Sequence, residues 1–86
     1  MQFEGAVIRE QGVTFAVVVV KDRVLNSTNE ANQTIARFGS VFPGMPVVLM
    51  AQDGYGRPTY YGRPDISKFL TSVSPSRIPW KRYTLN

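Results

Sequence analysis

The stretch that most constrains this chain is Val13-Thr14-Phe15-Ala16-Val17-Val18-Val19-Val20. Branching at Cβ stiffens χ1, so such a run fits a pleated strand better than a helix. One face of the strand carries Val13, Phe15, Val17 and Val19; the other carries Thr14, Ala16, Val18 and Val20. Both faces are apolar. A strand wet on one side alternates polar with apolar residues, so this one is expected to be central and covered on both faces. Pro46–Gln52 repeats the message, with Val47, Leu49 and Ala51 on one side and Val48 and Met50 on the other. A helical pattern separates the two runs. That is the signature of a βαβ unit, with parallel strands and a right-handed crossover.

The remaining segments arrange themselves around this pair. Phe3–Arg9 leads through Glu10-Gln11-Gly12 into the first run and predicts a hairpin, with Gly12 supplying a positive φ. Ser27 and Glu30 have capping-box spacing, and Ala31, Ile35 and Phe38 then form one apolar stripe. Pro43-Gly44 turns the chain into the second strand. Asp53–Pro58 is a loop, Thr59-Tyr60-Tyr61 is strand-like, and Pro64 suits the first turn of a helix. That helix places Ile66, Phe69, Leu70 and Val73 on one side. Ile78–Leu85 is extended, and its last part can add a strand.

These elements predict a single small α/β (α+β) domain with a mixed sheet, in the order β-β-α-β-β-α and a further β if the tail pairs. Residues 1–12 form the N-terminal hairpin strand, 13–73 the βαββα core and 74–86 the extended tail. From Val13 onward the order matches that of ferredoxin-like folds. The expected architecture has two layers, with both helices on one face of the sheet. Something else must then cover the second face. The tail, with Trp80 and Tyr83, is one choice; a second copy of the chain is the other.

Composition narrows the chemistry. The 86 residues contain no Cys and no His, which removes thiolate metal sites and the commonest general base. No cofactor is expected. No apolar run approaches the ~20 residues that span a bilayer. The first residues lack the basic segment of a secretory signal, so a cytoplasmic location is expected. The net charge of +4 is uneven: residues 1–53 hold four cations against five carboxylates, residues 54–86 six against one.

Three functional readings follow. The preferred one is a non-catalytic interaction module, binding a protein partner or forming a homodimer. Its candidate contact residues are Tyr55, Arg57, Tyr60, Tyr61, Arg63, Trp80, Lys81, Arg82 and Tyr83. The second reading uses the same residues for single-stranded nucleic acid, with rings stacking on bases and cations meeting phosphates. The third is a Mg²⁺-dependent enzyme. Asp22 and Asp53 each follow the carboxyl end of a parallel strand, where ligands gather in open α/β sheets.

Overall fold

The computed structural model describes residues 1–10 and 12–85. Its strands are β1 (Gln2–Glu10), β2 (Val13–Val19), β3 (Val47–Gln52), β4 (Pro58–Tyr61) and β5 (Lys81–Thr84). Its helices are α1 (Thr28–Phe38) and α2 (Pro64–Leu70), with short 3-10 turns at Asp22–Asn26 and Pro75–Arg77. The strands form one sheet in the order β4-β3-β2-β1-β5. β2 and β3 are parallel neighbours, with Ala16 opposite Val47 and Val19 opposite Met50. Every other pairing is antiparallel. The expected parallel pair is therefore present. The interleaving of a ferredoxin-like sheet is not, because no strand separates β2 from β3.

The local signals act as expected. Gly12 has φ 78° at the β1–β2 turn, whose Gln11 lies outside the described residues. Ser27 Oγ accepts from the Glu30 amide at 3.3 Å and caps α1. Pro64 opens α2.

The faces of the sheet correct one expectation. The two helices lie on opposite sides, so the domain has three layers rather than two. On the α1 side, Ala31 and Phe38 pack with Phe3, Ala16, Val18 and Leu49. On the α2 side, Ile66 and Leu70 pack with Ala6, Phe15, Val17 and Val48. The physical reason is topological. The right-handed rule governs a helix that joins parallel strands, as α1 joins β2 to β3. By contrast α2 joins β4 to β5, which run in opposite directions at the two edges, so the rule does not constrain it. The connection into α2 is tight. A Cβ at Gly62 would lie 3.0 Å from Val48 Cγ2 and 3.2 Å from the Val47 carbonyl oxygen, so only glycine lets β4 turn this close over β3.

The tail does not blanket a face. It adds β5 to the outer edge of β1, with Phe3 opposite Tyr83 and Gly5 opposite Lys81. Its side chains still serve both cores. Trp80 packs on the α2 side, Tyr83 and Leu85 on the α1 side. Val17 and Val18 are both fully buried within one chain, so neither sheet face needs a second copy to cover it.

Candidate functional site

The basic, aromatic residues singled out in the sequence do not converge. Tyr55 and Arg57 sit in the β3–β4 loop; Tyr60 and Tyr61 are on β4; Arg63 follows it. Lys81, Arg82 and Tyr83 are on β5, at the opposite edge of the sheet. Four strand spacings, roughly 19 Å, separate the two groups. Most of the rings are also engaged. Tyr83 stacks on Phe3 with centroids 5.5 Å apart. Trp80 packs on the α2-side core, and its Nε1 donates to the Pro75 carbonyl at 2.9 Å. Tyr61 packs on the α1 side and donates to Asn32 Oδ1 at 3.0 Å. Among the described residues only Tyr55, 88% exposed, presents a ring largely open to solvent, and the Arg57 guanidinium sits 5.3 Å from its centroid.

Two of the cations have carboxylate partners. Arg57 Nε lies 2.7 Å from Asp53 Oδ2, and Arg63 makes a bidentate pair with Asp65 at 2.8 and 2.9 Å. Asp53 is thereby a loop clasp. Its Oδ1 accepts from the Tyr55 and Arg57 amides at 2.8 and 3.0 Å. The Arg57 amide, more than the guanidinium, holds its carboxyl below the usual range. Asp65 is lowered in the same way, chiefly by the Arg63 side chain. Asp22 is exposed in the first turn of a 3-10 segment. Among the described residues no three His, Cys, Asp or Glu side chains gather as a metal-binding group.

Tyr60 differs from the other tyrosines. Its hydroxyl is buried on the α2 side with no hydrogen-bond partner among the described residues. Burial pushes the phenol above its ordinary value of 10.0. Above that pH the unfolded chain loses a proton that the folded chain keeps. Titration of this group therefore leaves stability unchanged below pH 10 and lowers it as pH rises above 10 towards the raised folded value. Tyr60→Phe removes the unpaired hydroxyl along with this alkaline dependence. The variant is expected to gain about 1 kcal/mol at neutral pH. Its urea midpoint should fall less steeply than the wild type's as pH rises above 10.

A concave surface lies elsewhere. A groove of about 540 Å³ opens where β2 ends, between α1, the 3-10 turn at Asp22–Asn26 and the start of β1. Val20, Val24 and Phe38 form its apolar floor, and Lys21, Arg23 and Arg37 its rim, with Glu30 beside them. None of the three cations is in an ion pair among the described residues. A shallower groove of about 370 Å³ adjoins it through Gln2, Phe3 and Val19 and adds Arg82 and Glu4. Counting charge by halves of the sequence missed this rim, because its members come from the acidic half.

Among the described residues, no helix is long and apolar enough to cross a membrane. No family model matches the chain, and no curated protein or solved structure matches it either.

Proposed function

We propose that the domain is a non-catalytic module that binds an acidic segment of a partner protein in the groove at the carboxyl end of β2. The observation that supports this reading is the rim of Lys21, Arg23 and Arg37 above an apolar floor, none of them in an ion pair among the described residues. A rim with three cations against one carboxylate, Glu30, steers an acidic partner, while the floor gives apolar side chains somewhere to go. The groove also lies at the edge of a parallel strand pair where open α/β sheets receive ligands. The lack of His and Cys accords with binding rather than turnover.

Titration of ¹⁵N-labelled protein with a glutamate- and leucine-rich peptide, and separately with a single-stranded DNA oligonucleotide, tests it. The peptide is expected to shift the amides of Lys21, Val24 and Arg37. The triple variant Lys21→Ala, Arg23→Ala, Arg37→Ala should bind at least about tenfold more weakly, with a flatter salt dependence. An oligonucleotide that shifts Tyr55 and Arg57 while the groove stays silent would favour the nucleic-acid reading and overturn this one.

A further inference from the structure

Among the described residues, the outer edge of β1 is only half occupied. β1 has nine residues, and β5 pairs with just four of them, Gln2 to Gly5. The hydrogen-bonding direction of the rest follows from alternation. The Leu85 amide donates to the Met1 carbonyl at 2.8 Å, so Met1, Phe3 and Gly5 direct their main-chain groups towards β5. By the same alternation Val7 and Arg9 direct theirs into the same lane, beyond the point where β5 begins. Ala6, Ile8 and Glu10 turn theirs to β2, opposite Val17, Phe15 and Val13. The two strands of that pairing are consistent: the Ala16 amide donates to the Pro46 carbonyl across the β2–β3 seam, so odd-numbered β2 residues face β1.

The vacant lane has a built wall. On the α2 side it borders a cavity of about 350 Å³, lined by Ile8, Phe69, Val73, Ile78 and Pro79 among others. That volume is near the lower limit of small-ligand pockets and suits one or two side chains. Glu10 and Arg77 also line it; Arg77, and Arg9, which by alternation shares the face of Val7, are in no ion pair among the described residues. On the other side of the lane Val7 is 40% exposed, a large apolar side chain on a free edge. Sheet edges are ordinarily blunted, so an apolar, unpaired stretch beside a cavity is a docking geometry.

We propose that this lane receives an extended segment of a partner protein by strand addition, antiparallel to β1 and in line with β5. Directly opposed residues share a face of the sheet. The partner residue opposite Ile8 therefore points into the cavity and is apolar. The one opposite Val7 is β-branched and packs against it. The one opposite Arg9 is acidic, because it meets that guanidinium. Read along the incoming strand, the preferred order is acidic, apolar, β-branched, ending where Lys81 closes the lane. This surface lies apart from the basic groove and stands or falls independently of it.

The test uses the full chain and two synthetic peptides. One is acetyl-Thr-Glu-Leu-Val-Thr-amide; the other is the same peptide N-methylated at the amides that would face β1. In the free protein, hydrogen exchange at Val7 and Arg9 is expected to be about a hundredfold faster than at Ala6 and Ile8. The unmodified peptide should slow exchange at Val7 and Arg9 and shift Phe69 and Val73. N-methylation should weaken binding at least about tenfold, the loss expected from removing two main-chain hydrogen bonds. Equal binding by both peptides, shifts that map outside the lane, or no binding by either would overturn the proposal. So would protection of Val7 and Arg9 in the free protein, whether from within the chain or from a dimer detected by light scattering.

Discussion

Placing a carboxylate at Val17 or at Val18 is expected to abolish folding in both cases, although the two residues are adjacent and point in opposite directions. Both side chains have no exposed surface. Val17 belongs to the core under α2 and Val18 to the core under α1. An unpaired buried carboxylate costs several kcal/mol even after relaxation, and the lost apolar contacts add to that. A domain of this size has a total stability of roughly 4–13 kcal/mol, so either change consumes most of it. Thr14→Asp is the control. Thr14 is exposed on the same strand, opposite Arg9, and the change is expected to stay within about 0.5 kcal/mol. Circular dichroism and a ¹⁵N correlation spectrum of the three variants check this. A sheet covered on one side only would tolerate one of the two valine substitutions.

Phe3→Ala should be the most damaging truncation near the edge of the sheet, costing about 3–5 kcal/mol. Phe3 joins three elements. Its ring lies 4.6 Å from Phe38 of α1, 5.5 Å from Tyr83 of β5 and 6.1 Å from Phe42 in the crossover, centroid to centroid. Such contacts contribute beyond the area they bury. Urea denaturation measures the loss. Hydrogen exchange should further show β5 opening before β2 and β3, because its four residues pair on one side only, to β1.

Much of this architecture is legible in the residues. The doubly apolar runs around Val17 and Val48 announced a pair of parallel strands, and the stripes of Ala31, Ile35 and Phe38 and of Ile66 and Leu70 announced the helices. The face chosen by α2 was not legible for the same reason. Strands that are apolar on both sides offer two equivalent seats, so the pattern carries no label saying which helix takes which. Handedness settles only α1. Gly62 is the one local clue, and its meaning depends on β3 lying beneath it.

The binding surfaces were less legible than the fold. Arg57 and Arg63 were candidates because they stand among tyrosines, yet Asp53 and Asp65 lie four and two residues away and hold them. That proximity was visible in the sequence. The rim of Lys21, Arg23 and Arg37 was not, since it forms only when α1 folds back along the end of β2. Nor was the open lane beside Val7 and Arg9. It arises from a length mismatch between β1 and a strand more than seventy residues later.

Isotope-edited methyl NOEs from Val17 and Val18 test most directly whether two parallel neighbours are enclosed by helices on opposite sides. Val17 methyls are expected to contact Ile66 and Leu70, and Val18 methyls to contact Ala31 and Phe38. Contacts from both helices to Val18 alone, with Val17 facing water, would contradict the three-layer arrangement and remove the frame on which both surfaces rest.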